Sequence, residues 1–274
     1  MSKSVAIAFG GGGARGLAHI HAIEALDELG VKPVAIAGSS IGSIMGAAMA
    51  SGMTGKDIHH YALTMLGRRA EVASRIWKAR PGSFAEIVER GFRLGQFNIE
   101  RVLKAFLPEA VPDTFEELDI PLFVTATDYF GHKLAVFDSG DLNSAIAASS
   151  AIPAAFRPVI RDGCLYVDGG IYNPVPFDIL MGKADVVIAI DVVGAPMPVD
   201  DKRPSTLDLM FGADQLMMQS IISAQLQLSR PAILLRPPVS RFRVLDFLKA
   251  DQVMMATVSI KDDLKRALTP LLEA

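Results

Sequence analysis

The pentapeptide Gly38-Ser39-Ser40-Ile41-Gly42 is the feature that most constrains the fold of this chain. It follows an apolar run, Val34–Ala37, and precedes a run of small and apolar residues, Ile44–Ala50. A G-x-S-x-G sequence between a strand and a helix is typical of a tight elbow that raises one serine hydroxyl at the carboxyl end of a sheet. The pattern predicts an α/β scaffold with Ser40 as a candidate nucleophile. An ordinary strand-to-helix turn is the competing interpretation.

Strand-length apolar runs alternate with helical patterns along the 274 residues. Several runs are apolar on both faces, as in parallel strands that helices cover on both sides. The alternation predicts an α/β fold, a three-layer α/β/α sandwich with a mostly parallel central sheet. We find no repeat and no convincing linker, so one domain over residues 1–274 is expected. The predicted strands are Val5–Phe9, Val34–Ala37, Leu122–Thr127, Leu134–Phe137, Leu165–Val167, Val186–Ile190 and Ile233–Leu235, and the predicted helices are Gly16–Leu29, Ile41–Ala50, Lys56–Leu66, Ile99–Leu107, Leu142–Ser149, Leu207–Leu228 and Ala250–Leu268.

Composition narrows the classes of function. The net charge of −3 gives no support for nucleic acid as a partner. Cys164 is the only cysteine, which excludes an intrachain disulfide framework and a cysteine metal cluster, and a reducing, cytoplasmic setting fits. The apolar run after Lys3 is too short for a signal peptide. The sequence shows no clustered His, Asp and Glu pattern, so neither a metal nor a cofactor is expected.

The segment 67–97 differs from the rest of the chain in charge. It contains seven Lys or Arg residues and three Glu residues, a local net charge of +4, together with Trp77 and three Phe residues. The absence of strand patterns predicts a helical basic insertion beside the core. Such a segment can contact an anionic lipid surface, so peripheral contact with the inner face of the membrane is one expectation. A solvated helical pair with its aromatic side chains packed inward is the other.

A glycine-rich loop, Gly10-Gly11-Gly12-Gly13-Ala14-Arg15-Gly16, follows the first predicted strand. Successive glycines let backbone N–H groups converge on one anion, and the N-terminus of the next helix adds positive potential. The loop formally matches a dinucleotide fingerprint, but the second strand ends in Gly38-Ser39-Ser40 where such a site needs an acidic residue. An oxyanion-binding loop beside a serine nucleophile fits acyl transfer better. A plain tight turn remains the alternative.

A serine nucleophile needs a base. All five histidines precede Asp168, whereas hydrolases of the Ser-Asp-His order place the histidine last. For His19 and His21 we expect packed or solvated positions on a helix. A carboxylate that acts directly on Ser40 is the simpler prediction. Asp168, at the end of a predicted strand, is the best candidate and Asp191 is its competitor; a turn or capping role is the alternative for either.

Three motifs in this order resemble the patatin-like phospholipase family: Gly11–Gly16, Gly38–Gly42 and Asp168-Gly169-Gly170. Ala148–Pro153 and Asn173–Pro176 resemble the bacterial members. The resemblance implies a three-layer α/β/α sandwich and a Ser–Asp dyad. It assigns Ser40 as the nucleophile, Asp168 as the base, Gly11, Gly12 and Gly13 as the oxyanion hole, and Arg15 as a brace for the loop or a contact for a phosphate or carboxylate group.

The activity that this resemblance implies is lipid acyl ester hydrolysis of the phospholipase A or lysophospholipase type, with a lipid or acyl ester as substrate. No metal or other cofactor is implied. A soluble carboxylesterase or thioesterase is the alternative among enzymes, and a phosphate-binding regulatory module is the alternative outside them. The sequence indicates no oligomeric state.

Overall fold

The structure, a computed structural model, describes residues 3–67, 97–198 and 204–273. Within these residues eight strands form one sheet. The strands are β1 Val5–Phe9, β2 Ala35–Ser39, β3 Leu122–Asp128, β4 Lys133–Phe137, β5 Val159–Arg161, β6 Cys164–Val167, β7 Val186–Ile190 and β8 Ile233–Leu235.

Eight α-helices surround the sheet in the described ranges. A short 3₁₀ helix, Gly13–Ala18, leads into the first of them. The helices are α1 His19–Glu28, α2 Ile41–Ala50, α3 Gly55–Gly67, α4 Ile99–Phe106, α5 Leu142–Ser149, α6 Thr206–Leu228, α7 Ala250–Thr257 and α8 Ser259–Glu273.

The centre of the sheet is parallel. Strand pairings run in the order β5-β6-β3-β2-β1-β7-β8, with β4 also paired to β3. β3, β2, β1, β7 and β8 run parallel to one another. β4 and β6 each pair antiparallel with β3, and β5 pairs antiparallel with β6. The mostly parallel sheet that the sequence predicts is therefore confirmed.

Three strands pair with β3, and their registers decide which chain ends meet. β4 overlaps both β2 and β6 along β3, so β4 takes one edge of β3 while β2 and β6 share the other. The last residue of β2, Ser39, pairs with Thr125. The last residue of β6, Val167, pairs with Thr127. Because β6 runs opposite to β2, the two strands meet end to end.

The two faces of the sheet carry different side chains. On one face, large residues such as Ile7 and Ile36 pack with the apolar sides of α1, α2, α5 and α8. The other face is built of small residues such as Ala6 and Ala37, and it is covered by Phe177 and by Ile222 of α6. Helical layers on both sides of the sheet confirm the three-layer sandwich.

One predicted helix is divided in the structure, and one strand of the sheet was not predicted. The helix predicted as Ala250–Leu268 is two helices, α7 and α8, with a break at Val258. The hydroxyl of Thr257 donates to the carbonyl of Val253 at 2.8 Å, a back-bond that bends helices. The sequence prediction also missed β5, which forms a hairpin with β6 across Asp162 and Gly163.

The helical basic insertion predicted at 67–97 falls on residues 68–96, which lie outside the described residues. At its downstream end, the N–H of Phe97 donates to the carbonyl of Ala155 at 3.1 Å. In the described ranges, no helix has both the length and the apolar character to cross a bilayer.

Candidate active site

Ser40 lies in a strained turn between β2 and α2. Its φ of 53° and ψ of −124° are sparsely populated for a residue with a side chain, at a cost on the order of 1–3 kcal/mol. Gly38 and Gly42 permit the turn because backbone passes close to both. A Cβ on Gly38 would lie 2.5 Å from the carbonyl oxygen of Gly42, and one on Gly42 would lie 2.1 Å from that of Phe9. The pentapeptide thus has the geometry of an elbow that displays the Ser40 hydroxyl.

The structure brings Ser40 and Asp168 into contact. Ser40 follows β2 and Asp168 follows β6, so the end-to-end meeting of these strands places the two residues side by side. The Ser40 hydroxyl donates to Oδ2 of Asp168 at 2.6 Å. The other carboxylate oxygen, Oδ1, accepts from the N–H of Gly170 at 2.8 Å. The carboxylate is thereby aligned with the hydroxyl.

Both side chains are nearly inaccessible to water, since Ser40 and Asp168 are each 4% exposed. Burial raises the pKa of Asp168 to about 7. The hydrogen bonds from Ser40 and Gly170 oppose this shift because they favour the ionised carboxylate, and the charge of Asp214 adds to it. A carboxyl group with a pKa near neutrality can both accept and return a proton at physiological pH.

The backbones of Ser40 and Asp168 are anchored by the segment that ends α5. The N–H of Ser40 donates to Oγ of Ser149 at 2.8 Å. The N–H of Asp168 donates to the carbonyl of Ala151 at 3.1 Å. Sequence reasoning noted the block Ala148–Pro153 as a resemblance but gave its serines no role. The run of small residues in that block was the sequence signal that could have pointed to a segment packed closely against the dyad.

The glycine loop lies beside Ser40, but its amides are not equivalent. The N–H of Gly11 donates to the carbonyl of Pro174 at 2.9 Å, so this predicted oxyanion donor is already in use. The N–H of Ala14 donates to Val244 in the same way. Among the hydrogen bonds of the described residues, none uses the N–H of Gly12 or Gly13. These two amides are therefore the available donors of the loop.

Arg15 is buried behind the loop, with 1% of its surface exposed. Its Nε donates to the carbonyl of Gly12 at 3.0 Å. Burial lowers the pKa of Arg15 to about 10, while the charges of Asp191 and Asp214 favour the guanidinium. Of the two roles that the sequence left open for Arg15, this geometry fits bracing of the loop.

The competing candidates for the base lie elsewhere. Asp191 accepts from Nε of Arg236 at 3.0 Å and from the N–H of Val193 at 3.0 Å. His19 is buried with Nε2 at 2.8 Å from the carbonyl of Gly10, and its burial lowers its pKa to about 4. All five histidines lie in the described ranges, and no hydrogen bond there joins one of them to Ser40 or its carboxylate partner.

An apolar cavity of about 500 Å³ opens at Ser40. The polar residues on its wall are few, chiefly Ser40, Ser150 and Tyr61. Its apolar walls come mainly from three helices and from the residues after α5. They include Ile41, Ile44, Met45 and Ala48 of α2, Ile58, Ala62, Met65 and Leu66 of α3, Val102, Leu103 and Phe106 of α4, and Ile152 and Phe156. This shape and lining suit an alkyl chain held beside the hydroxyl. No group of His, Cys, Asp and Glu side chains in the described ranges is arranged to hold a metal ion.

A family model described as Patatin-like phospholipase matches residues 7–181. An uncharacterized NTE family protein of Mycobacterium tuberculosis is 36% identical over 206 residues, which cover 74% of this chain and 53% of the relative. Lysophospholipase NTE1 of Scheffersomyces stipitis is 25% identical over 287 residues, which cover 96% of this chain and 18% of that protein. The chain thus spans about half the length of the mycobacterial relative and less of the yeast one.

Among solved structures, VipD from Legionella pneumophila aligns with a TM-score of 0.46 and 16% sequence identity. The alignment covers 94% of this chain and 67% of VipD.

Proposed function

Because the chain belongs to the patatin-like phospholipase family, we propose that it is a serine hydrolase that cleaves lipid acyl esters through a Ser40–Asp168 dyad. The observation that carries the proposal is the 2.6 Å hydrogen bond between the Ser40 hydroxyl and the Asp168 carboxylate. This pair lies at the wall of an apolar cavity of about 500 Å³. The Ser40 hydroxyl, the carboxylate proposed as its base and a cavity suited to an alkyl chain therefore lie next to one another.

In the proposed acylation, Asp168 takes the proton of the Ser40 hydroxyl as Oγ attacks the ester carbonyl carbon. The carbonyl oxygen becomes an oxyanion, and the N–H groups of Gly12 and Gly13 donate to it. A donor of this kind contributes roughly 3 kcal/mol to transition-state stabilisation. Arg15 holds the Gly12 carbonyl and so keeps the peptide between the two glycines oriented.

Collapse of the tetrahedral adduct breaks the bond between the carbonyl carbon and the leaving alcohol oxygen. Asp168 returns the proton to that oxygen, and the acyl group remains on Ser40. A water molecule then repeats the sequence with Asp168 as the base, which releases the fatty acid. A single carboxyl group serves as both base and acid because its pKa of about 7 is close to the pH of the reaction.

We further propose a phospholipid or lysophospholipid as the substrate. The lining of the cavity favours a long alkyl chain over a short acyl group, and one relative carries the name lysophospholipase. A soluble ester or thioester with a long acyl chain is the second candidate, since the cavity would hold the same chain.

Peripheral contact with an anionic membrane through the basic segment 67–97 accompanies the first candidate. The test compares the wild type with a variant in which Glu replaces Arg68, Arg69, Arg75 and Lys78. Co-sedimentation of the wild type with anionic vesicles, lost in the variant, would support the contact. Equal, salt-insensitive partitioning of the two proteins, or no partitioning by either, would refute it.

The decisive experiment combines covalent labelling with turnover. The wild type should react with an alkyl fluorophosphonate and hydrolyse lysophosphatidylcholine. The Ser40→Ala variant should lose both activities, and Asp168→Asn should lose turnover by several orders of magnitude. Ser39→Ala is the matched control, because it removes a neighbouring buried hydroxyl outside the cavity wall. Turnover that survives Ser40→Ala and disappears in Ser39→Ala would refute the assignment.

A further inference from the structure

The segment Ser149-Ser150-Ala151 connects the two members of the dyad. Oγ of Ser149 accepts from the N–H of Ser40, and the carbonyl of Ala151 accepts from the N–H of Asp168. The residue between these two anchors is thus held beside both reacting side chains. Its position is fixed by hydrogen bonds on each side and by the end of α5.

The Ser150 hydroxyl has an unusual environment. Ser150 is 5% exposed, and its Oγ is buried with no hydrogen-bond partner. A buried hydroxyl without a partner costs about 1–3 kcal/mol. Ser150 also lines the apolar cavity that contains Ser40. Ser39 has a buried and unpartnered Oγ too, but it does not line the cavity. Of these two unpartnered hydroxyls, only that of Ser150 therefore belongs to a residue that a molecule in the cavity can touch.

The topology separates Ser150 from the oxyanion donors. The glycine loop follows β1, on one side of β2. The segment with Ser150 follows α5, which packs over β3 on the other side of β2. In a tetrahedral adduct on Ser40, the oxyanion faces the glycine loop and the acyl chain enters the cavity. The remaining substituent, the leaving oxygen, would then point away from the loop, and it must come within reach of Asp168 to receive the proton.

We propose that the Ser150 hydroxyl donates a hydrogen bond to the leaving oxygen of the ester, and so adapts the site to esters of ordinary alcohols such as glycerol lipids. This inference rests on the proposed function. As the bond between carbon and leaving oxygen breaks, its electron pair stays on that oxygen, and Asp168 supplies the proton that it took from Ser40. Ser150 keeps its own proton and stabilises the charge that builds before the transfer is complete.

The proposal makes the effect of Ser150 depend on the leaving group. An alkoxide leaving group is strongly basic and gains most from a donor. A p-nitrophenolate leaves with little assistance, and the sulfur of a thioester is a weak acceptor. A merely structural role for Ser150 would weaken the hydrolysis of all three classes to the same extent.

The test compares kcat/KM for a monoacylglycerol and for a p-nitrophenyl ester of the same fatty acid. Ser150→Ala should lower the value for the glycerol ester about 10- to 100-fold, as expected for a hydrogen bond to a charged oxygen, and the value for the nitrophenyl ester less than about 3-fold. Ser150→Cys keeps the shape of the side chain with a slightly larger atom and a weak donor, and it should show a smaller loss with the same selectivity. Ser39→Ala should leave both values within about 3-fold of the wild type.

Equal losses on both esters, or no loss on either, would overturn the role of Ser150 while leaving the dyad in place. If Ser150→Ala fails to fold, the comparison of kcat/KM on the two esters is made with Ser150→Cys. An equal loss on both esters in that variant would overturn the proposal. A wild type that hydrolyses neither ester would refute the proposed function itself, and this inference with it. The fluorophosphonate reaction of Ser40 distinguishes the two failures.

Discussion

Replacement of Asp168 by Asn should stabilise the protein at alkaline pH while it removes activity. The carboxyl has a folded-state pKa of about 7 against an ordinary value of 3.8. Between these values the folded state holds the proton and the unfolded state has lost it, so the stability of the wild type falls as pH rises. The slope is about 1.4 kcal/mol per pH unit. The amide does not ionise, can still accept from Gly170 and can donate to Ser40.

The interval from about pH 5 to about pH 8 includes roughly two pH units below the folded-state pKa of Asp168, and over these the stability of the wild type falls. The wild type should therefore lose about 2.5 kcal/mol of unfolding free energy relative to Asp168→Asn over that interval. In a chain of this size the corresponding change in the Tm difference is roughly 5 °C or more. Groups that titrate equally in the two proteins cancel in the comparison.

The assay is urea unfolding of both proteins at four pH values, with calorimetry as a second measure. Ser40→Ala provides the control, because it is inactive by design yet keeps the buried carboxyl and should retain the pH-dependent loss. A difference between wild type and Asp168→Asn that stays constant from acid to alkaline pH would refute the reasoning. So would a difference that grows in favour of the wild type.

Three further outcomes are expected. The kcat/KM of the wild type should rise with pH through a midpoint near 7, because the base must be ionised; a profile that is flat from about pH 5 to 9 would contradict a carboxylate base with this pKa. Gly13→Ala should lower kcat more than it raises KM, by about 100-fold or more, since a Cβ there would lie 2.1 Å from the Val244 carbonyl at a φ of +57°; unchanged steady-state kinetics would move the oxyanion hole elsewhere. Ser149→Ala should cost about 1–3 kcal/mol in urea unfolding and lower turnover, because the N–H of Ser40 loses its acceptor; wild-type behaviour in both assays would show that the anchor is dispensable.

Local sequence signals predicted the parts of the site that depend on local geometry. The elbow around Ser40 requires glycines at fixed offsets, so the pentapeptide carried its own structural information. The family and the three-layer fold that the motifs predict are confirmed, and the predicted enzyme class agrees with that family. Asp168 and Asp191 both follow predicted strands, and Asp168 was preferred because the glycines Gly169-Gly170 come after it. The structure places Asp168 against Ser40.

Features that depend on distant partners could not be predicted in the same way. The amide of Gly11 is occupied by the carbonyl of Pro174, which no pattern within the glycine loop reveals. Ser149 and Ser40 are 109 residues apart, so their hydrogen bond exists only through the fold. By contrast, the missed strand β5 did have a local signal. Asp162 and Gly163 both have positive φ, at 51° and 77°, and an Asp-Gly pair between apolar runs is typical of a two-residue hairpin.

The end-to-end meeting of β2 and β6 has a consequence for how the active molecule forms. Ser40 and Asp168 are 128 residues apart, and nothing local holds one near the other. β6 is placed next to the end of β2 only through β3, because both strands pair with the same edge of β3. Long-range closures of this kind are slow steps in folding. Reaction with a fluorophosphonate during refolding would therefore report the docking of the β5–β6 hairpin, and a chain that has completed only its parallel strands would have a sheet, an elbow and no base.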